Sequence, residues 1–256
     1  MINRRWSALS TLQNPDFTAV TGADLEMASF VLIHGAWHGG WCWQRLVDRL
    51  RSEGHTAVAP TLSGLAERAD LLSAQIDLTT HTEDIVSQVR ASGCRDVTLV
   101  AHSYSGFPAV AAVGRLGELV SHLVLLDAFL PEDGEKLLDH APSLIDIYAA
   151  KVSEDGNWHI PPLRSAEFGV TEADQAWVDG KLTPHPVASY FEPVTLNPLM
   201  VPHKTYIRCR EADGTFLARS ISRAISGGWH YVEIDAPHDA MISHPDIVAS
   251  VLIETR

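Results

Sequence analysis

A stretch near the middle of the chain, VTLVAHSYSG at residues 97–106, most constrains the fold that this sequence can adopt. Val97–Val100 is a run of apolar, largely β-branched residues, which is typical of a short buried strand. Apolar residues spaced three and four apart follow over residues 107–113 and indicate a helix with one buried face. The stretch therefore predicts a strand that reverses into a helix within one or two residues, with Ser103 at the turn.

Ser103 lies in a small-x-Ser-x-small pattern, with Ala101 two residues before it and Ser105 two residues after it. A turn of this kind crowds the backbone, so the flanking positions must be small, and it presents the central hydroxyl at the positive end of the helix. The pattern is a G-x-S-x-G elbow in which Ala101 and Ser105 stand where glycines are commoner. Ser103 is therefore a candidate nucleophile, and the alternative is an ordinary turn between a strand and a helix.

A glycine-rich segment, HGAWHGGWCW at residues 34–43, follows the apolar run Phe30–Ile33, which we predict to be a central strand. The segment lacks the Gly-Lys-Ser/Thr ending of a P-loop and the G-x-G-x-x-G spacing of a dinucleotide fold. Glycines let a loop backbone come close to a ligand. We therefore predict that the backbone N–H of Ala36 points at a developing oxyanion, together with the N–H of Tyr104, the residue after Ser103.

His34 and His38 in this segment form a His-x-x-x-His pattern, which matches part of a zinc site. That pattern needs a helix to bring both imidazoles to one metal, whereas Gly35 and the pair Gly39-Gly40 indicate a loop. We therefore predict no metal and no cofactor, and we expect His34 to support the oxyanion loop.

Strand and helix patterns alternate along the chain, which predicts right-handed crossovers and a mostly parallel central sheet flanked by helices, an α/β fold. Further strands are predicted at residues 56–59, 121–127, 204–209 and 229–234. The loop after the last of these strands reads APHDAM at residues 236–241. A histidine at the carboxyl end of a parallel strand lies on the same rim as Ser103, so His238 is the candidate base.

Composition changes after Pro131, where the rhythm of strands and helices is lost until Lys204. We predict one domain over residues 27–256, with a helical cap, approximately residues 131–203, inserted between two strands. The cap carries several large aromatic side chains: Tyr148, Trp158, Trp177, Tyr190 and Phe191. They either line an apolar pocket over Ser103 or form the cap's own small core. Residues 1–26 are polar and are predicted to be an N-terminal extension without a part in the chemistry.

Composition narrows the range of partners. The net charge of -13, from 19 Lys and Arg against 32 Asp and Glu, disfavours nucleic acid and anionic membranes as partners. The three cysteines are widely spaced, which predicts free thiols in a reducing cytoplasm. No run approaches the ~18 apolar residues of a transmembrane helix, and the N-terminus has no apolar core of a secretion signal. We expect a cytoplasmic protein with a small-molecule partner.

Four motifs together resemble the α/β-hydrolase superfamily: VLIHGAWHGGWCW (31–43), AHSYSG (101–106), LDAFLPEDG (126–134) and PHDAM (237–241). The chain is most similar to the branch of plant methyl esterases, hydroxynitrile lyases and bacterial pyrethroid-type carboxylesterases. The resemblance implies the α/β-hydrolase fold and the chain order nucleophile, acid, histidine. It assigns the nucleophile to Ser103, the histidine to His238 and the oxyanion hole to the N–H groups of Ala36 and Tyr104.

The acid of the implied triad has three candidates. The family usually places it just after the strand predicted at 204–209, where Asp213 stands and Glu211 is close by. Some relatives keep no acid there, and the end of the preceding strand, occupied by Asp127, is the other position within reach of the histidine. We expect Asp213, with Asp127 as the alternative and Glu211 as the third candidate.

The resemblance implies hydrolysis of a carboxylic ester of a small apolar or aromatic substrate through an acyl-enzyme. A hydroxynitrile-lyase-like C–C lyase is one alternative, although such lyases carry threonine and lysine where this chain has Gly35 and Asp239. A cofactor-free oxygenase, a hydrolase of amides or lactones, and a non-catalytic ligand receptor on the same fold are the others. The chain is expected to be a monomer or a homodimer.

Overall fold

A computed structural model describes residues 27–142, 158–198 and 201–256. The predicted N-terminal extension, residues 1–26, lies outside the described residues, as does Tyr148.

The core of the fold is a six-stranded sheet in the order β2-β1-β3-β4-β7-β8, in which every neighbouring pair is parallel. The strands are β1 Ser29–Ile33, β2 Thr56–Val58, β3 Val97–His102, β4 Val120–Leu126, β5 His159–Ile160, β6 His185–Pro186, β7 His203–Cys209 and β8 His230–Ile234. The short strands β5 and β6 pair with each other in a separate antiparallel sheet. The mostly parallel α/β sheet predicted from the sequence is thereby confirmed.

Helices cover both faces of the six-stranded sheet. They are α1 Gln44–Ser52, α2 Leu78–Ala91, α3 Gly106–Leu116, α4 Leu137–His140, α5 Glu172–Asp179, α6 Ala188–Phe191, α7 Ala218–Ser226, α8 Ala240–Ser243 and α9 Pro245–Glu254. One apolar cluster joins Ile33 of β1 to buried residues of α2 and α3. A second joins Leu32 of β1 to buried residues of α1 and α9. Successive strand residues thus point to opposite helical layers, which explains why the strands are apolar throughout.

The segment from residue 131 to residue 203, predicted to be a cap, connects the neighbouring strands β4 and β7. Its described part contains β5, β6 and the short helices α4, α5 and α6. The ring of Trp37, in the loop after β1, donates a hydrogen bond from Nε1 to the Ile160 carbonyl at 3.1 Å. The backbone N–H of Thr183 donates to the Trp37 carbonyl at 3.0 Å. These contacts hold the segment against the loop after β1, while its limits as a separate cap stay a prediction.

Among the described residues, no helix is long and apolar enough to span a lipid bilayer.

The register of the sheet brings the carboxyl ends of β3, β4, β7 and β8 to one edge. His102 pairs with Leu126, Leu126 pairs with Ile207, and Cys209 pairs with Ile234. The residues that follow these strand ends therefore lie next to one another, which is where open α/β sheets place their ligands. Ser103 and Asp127 directly follow β3 and β4, and His238 lies in the loop after β8.

Gly106 allows the turn after β3 to pack against the chain after β4. A Cβ at this position would lie 1.8 Å from the carbonyl oxygen of Phe129. We expect Gly106→Ala to lower the free energy of unfolding by at least ~2 kcal/mol, because backbone on both sides must move. Gly180→Ala is the matched control, since the nearest atom to its Cβ would be 3.3 Å away. Urea unfolding of both variants checks this, and equal midpoints would contradict the packing described.

Candidate active site

Ser103 occupies a strained turn between β3 and α3. Its φ of 52° lies in the left-handed region, which residues other than glycine adopt rarely and at a cost of ~1–3 kcal/mol. Ala101 pairs with Ile33 in the sheet, and the hydroxyl of Ser105 donates a hydrogen bond to the His34 carbonyl. The small residues on either side of Ser103 thus allow the elbow to lie directly against the loop that follows β1.

The loop after β1 crosses close to Ser103. A Cβ on Gly35 would lie 2.9 Å from His102 Nδ1 and 3.1 Å from the Cβ of Ser103. Glycine is therefore the residue that lets this loop approach the elbow without displacing Ser103.

Asp127 directly follows β4 and is fully buried, with a φ of 42° that is also in the left-handed region. Its Oδ1 accepts hydrogen bonds from Arg208 Nη1 at 2.6 Å and from the backbone N–H of Cys209 at 3.1 Å. Its Oδ2 accepts a hydrogen bond from His238 Nδ1 at 2.7 Å. The carboxylate therefore joins the end of β4 to β7 and to the loop after β8.

The pKa of Asp127 is lowered despite its burial. Burial alone would raise it, but the hydrogen bond and charge of His238 and the guanidinium of Arg208 outweigh this effect. Asp127 is therefore an anion at neutral pH, aimed at the Nδ1 of His238.

His238 is partly buried between two other rings. His102, the residue before Ser103, lies with its ring centroid 4.5 Å from that of His238 and donates from Nε2 to the His238 carbonyl at 3.0 Å. Burial and the neighbouring His238 lower the pKa of His102 to about 3, so its ring is neutral. Phe168 lies on another side of His238, at 5.9 Å between ring centroids. Both contacts, together with Asp127, fix where the Nε2 edge of His238 points.

The structure does not bring the other candidate acids to His238. Asp213 is exposed, and its Oδ1 accepts hydrogen bonds from the backbone N–H of Thr215 at 2.9 Å and from the Thr215 hydroxyl at 2.6 Å. Glu211 is exposed as well. The geometry thus reverses the preference of the sequence analysis, because Asp213 caps its own turn while Asp127 binds the imidazole.

Arg208 is a residue whose part sequence reasoning missed. Its Nη1 binds Asp127, and its Nη2 donates to the Ala212 carbonyl at 2.7 Å. The guanidinium thus lies between Asp127 and the turn that carries Asp213. The sequence carries a signal for this contact, because Arg208 lies inside the apolar strand pattern TYIRC. A buried cation requires an anionic partner, and Asp127 stands at the end of the preceding predicted strand.

Both residues predicted to form the oxyanion hole line one cavity with Ser103. Ala36 precedes Trp37, whose φ of 63° is left-handed and whose ring and carbonyl are hydrogen-bonded to Ile160 and Thr183. The side chain of Tyr104 is buried, and its hydroxyl is 2.7 Å from His81 Nδ1. These anchors hold the backbone of both residues in place beside Ser103.

The ring nitrogens of His34 and His38, the two histidines of the His-x-x-x-His pattern, are hydrogen-bonded to other groups of the protein. His34 Nδ1 donates to the Gly35 carbonyl at 2.8 Å, and its Nε2 accepts from the backbone N–H of Leu62 at 3.1 Å. His38 Nδ1 lies 2.8 Å from the Ala36 carbonyl, and its Nε2 lies 3.1 Å from Asp239 Oδ2. Every ring nitrogen of the pair therefore already has a partner.

Another group of metal-ligand types, within the described part of the chain, has ligand atoms within 4.8 Å of one another: His102, His238 and Asp239. His102 Nε2 and His238 Nδ1 each donate a hydrogen bond to a protein oxygen. Asp239 Oδ2 lies 3.1 Å from His38 Nε2, so each residue of the group has one ligand atom in a hydrogen bond within the protein.

A cavity of about 710 Å³ opens onto Ser103 and His238. Most of its lining is apolar and comes from the loop after β1, the segment after β4 and the turn after β7. Among the described residues, its charged lining groups are carboxylates: Glu167, Glu211 and Asp213. The remaining lining includes Trp37, Phe129, Leu137, Ile160, Phe168, Tyr190 and Phe216. A small apolar molecule therefore fits beside the Ser103 hydroxyl.

Comparison with known proteins gives relatives of the same architecture. A carbendazim hydrolyzing esterase of Nocardioides sp. (strain SG-4G) is 32% identical over 242 residues, which cover 88% of this chain and 98% of that protein. An extracellular alpha/beta-hydrolase from a Paenibacillus species, described as sharing structural and functional homology with tobacco salicylic acid binding protein 2, superposes with a TM-score of 0.79. It is 22% identical, with 89% of this chain and 98% of that chain covered.

A pyrethroid hydrolase from Sphingobium faniae JZ-2 has the same fold, with a TM-score of 0.65 at 16% identity over 89% of this chain and 96% of that chain. The family described as "Alpha/beta hydrolase family" matches residues 30–251. This range contains the whole six-stranded sheet except Ser29, the first residue of β1. The chain therefore belongs to the alpha/beta hydrolase family.

Proposed function

We propose that this protein hydrolyses carboxylic esters of small apolar or aromatic substrates through an acyl-enzyme on Ser103. The observation that carries the proposal is the buried Asp127 carboxylate, bonded to Nδ1 of a histidine that shares an apolar cavity with a strained serine. Relatives that are named as esterases support ester hydrolysis as the reaction.

The roles follow from the hydrogen bonds of the site. Asp127 accepts a hydrogen bond from the protonated Nδ1 of His238, which leaves the unprotonated Nε2 to take the proton of the Ser103 hydroxyl. The serine oxygen then attacks the acyl carbon, and the N–H groups of Ala36 and Tyr104 stabilise the oxyanion. His238 next protonates the departing alcohol and afterwards activates the water that releases the acid. Asp127 stabilises the imidazolium at each step.

The cavity supports a neutral acyl group. Its described lining is largely apolar, and its charged members carry the same sign as the carboxylate product. A lyase that releases cyanide needs a cation to hold the leaving anion, whereas the charged side chains in the described lining of the cavity are the carboxylates of Glu167, Glu211 and Asp213. Ester hydrolysis is therefore the better fit to the charges of this site.

Removal of the Ser103 hydroxyl tests the nucleophile. We expect Ser103→Ala to lower kcat for p-nitrophenyl butyrate by about 10⁴-fold or more, because no acyl-enzyme can form. Fluorophosphonate labelling followed by mass spectrometry should modify Ser103 in the wild type and no residue in the variant. Ser250→Ala, an exposed serine of α9, is the control and should retain both properties. Equal turnover by Ser103→Ala would refute the serine mechanism and bring lyase, oxygenase and receptor assays forward.

Two matched amide substitutions decide which carboxylate acts as the acid. Asp127→Asn should lower kcat by about 10⁴-fold, since the amide favours the wrong tautomer of His238. Asp213→Asn should stay within about tenfold of the wild type, because its carboxylate binds only its own turn. Urea unfolding of both variants separates a loss of catalysis from a loss of fold. Wild-type turnover by Asp127→Asn together with an inactive Asp213→Asn would restore the sequence-based preference.

Charge selectivity tests the class of substrate. We expect kcat/KM for the neutral methyl p-nitrophenyl glutarate to exceed that for p-nitrophenyl hemiglutarate by more than ~tenfold, because Glu167, Glu211 and Asp213 repel the anionic acyl chain. The two esters have nearly the same shape, so the neutral diester is the control for fit. Added salt should reduce the ratio of the two kcat/KM values, because it screens the charges of these exposed carboxylates. A preference for the anionic ester would contradict the proposed substrate class.

A further inference from the structure

A second buried histidine and carboxylate lie behind the site. His38 belongs to the loop after β1, and Asp239 directly follows His238. The side chain of His38 is 3% exposed and that of Asp239 is fully buried, with 3.1 Å between His38 Nε2 and Asp239 Oδ2. The mechanism proposed above uses neither side chain, and the two residues are 201 positions apart in the chain.

The hydrogen bonds of His38 establish its charge. Nδ1 lies 2.8 Å from the Ala36 carbonyl and Nε2 faces the Asp239 carboxylate, and both of these oxygens accept. Each ring nitrogen must therefore carry a proton, which makes the ring an imidazolium. Burial alone would lower the pKa of His38, but the charge and hydrogen bond of Asp239 raise it above its ordinary value. The pKa of Asp239 is lowered by the same pair, against the effect of burial.

His34, in the same loop, shows the contrast. Its Nε2 accepts a hydrogen bond from the backbone N–H of Leu62, so only its Nδ1 carries a proton. Burial lowers the pKa of His34 to about 3, and its ring is neutral. The charge on His38 is thus a property of its partners and not of the loop as a whole.

The ion pair connects the two halves of the reacting site. On one side His38 holds the carbonyl of Ala36, whose N–H is the proposed oxyanion donor. On the other side Asp239 is the backbone neighbour of His238, and its own N–H donates to the Phe168 carbonyl at 3.2 Å. The ring of Trp41 stacks on His38 at 5.4 Å and 26°, which favours a cation there. A displacement of either loop is therefore transmitted through this pair to the other.

We propose that His38 and Asp239 are positioning residues, which hold the oxyanion loop at a fixed distance from the loop of His238 through a buried, charged hydrogen bond. This role rests on the proposed ester hydrolysis, because it assigns the oxyanion donor to Ala36. It requires the connection between the loops rather than contact with the substrate.

The connection can be removed without leaving an unpaired buried charge. The double variant His38→Leu/Asp239→Val replaces both partners by apolar residues, whereas a single removal would strand one charge in the core. Asp239→Asn is the conservative variant, because its amide can donate to a neutral His38 and keep the loops connected. The matched control is His122→Leu/Thr205→Val, which removes a buried histidine hydrogen bond of 2.8 Å at the opposite end of β4 and β7.

Kinetics with p-nitrophenyl butyrate and inhibition by a trifluoromethyl ketone, which forms an oxyanion on the serine, test the role. The double variant should lose about 10²-fold in kcat with KM changed less than about threefold, because a displaced donor acts on the transition state alone. Its affinity for the ketone should fall by a similar factor. Asp239→Asn and the control pair should stay within about fivefold of the wild type in both measurements.

Wild-type kcat and ketone affinity in a folded double variant would overturn the proposal, as would an equal loss in the control pair. Failure of the proposed function is a separate result. It would be recognised if the wild type and Ser103→Ala had the same turnover and the same fluorophosphonate labelling. Side-chain ¹⁵N NMR gives a readout that needs no activity. Both ring nitrogens of His38 should be protonated in the wild type at neutral pH and only one in Asp239→Asn, and a neutral His38 in the wild type would also overturn the proposal.

Discussion

The carboxylate of Asp127 is the buried charge on which the arrangement of the strand ends depends. A carboxylate removed from water loses several kcal/mol of hydration unless donors replace it. Here Arg208 Nη1, the Cys209 N–H and His238 Nδ1 supply those donors from two other parts of the chain. The need to satisfy one anion therefore brings β4, β7 and the loop after β8 together. The burial of Asp127 also strengthens its electrostatic interaction with the imidazole of His238, because little solvent screens the pair.

Three histidines behind Ser103 show how the partners of a side chain decide its charge. His34 and His102 each have one nitrogen that donates and none that faces an anion within hydrogen-bond distance, and burial keeps them neutral. His38 faces two acceptors, one of them the Asp239 carboxylate, and is an imidazolium. His238 differs from all three because it alone reaches the cavity while bonded to a carboxylate. Residue type alone would not separate these roles, whereas the donors and acceptors around each ring do.

The parts of the site that could be predicted from sequence are those set by local structure. The place of Ser103 at a tight turn was predictable because small residues surround it between a strand and a helix. The place of His238 on the same rim was predictable because loops after parallel strands share one edge of the sheet. The carboxylate that binds His238 was not predictable in this way, since Asp127 and Asp213 each follow a strand of the same sheet. What separates them is the Arg208 guanidinium and the turn made by Thr215, which depend on contacts of a few ångströms between distant residues. The fold class, a mostly parallel sheet flanked by helices, follows from apolar periods and was predicted, whereas the antiparallel pair of β5 and β6 was not.

The aromatic side chains of the segment between β4 and β7 have different uses, one of which the sequence analysis did not consider. Tyr190 lines the cavity, whereas Trp177 packs on Trp41 outside it with the Arg45 guanidinium over its ring. Hydrophobic periodicity does not distinguish the position of Tyr190 from that of Trp177, because the helices that carry them have only four and eight residues. Which of their side chains are buried depends on the loops that pack against these helices. The sheet edge thus holds the proposed reacting groups through buried charges, while the segment between β4 and β7 contributes apolar side chains to the lining of the cavity. Tyr190 joins these two parts, because its buried ring lines the cavity and stacks on the ring of Tyr104, the residue after Ser103, with 5.6 Å between the ring centroids.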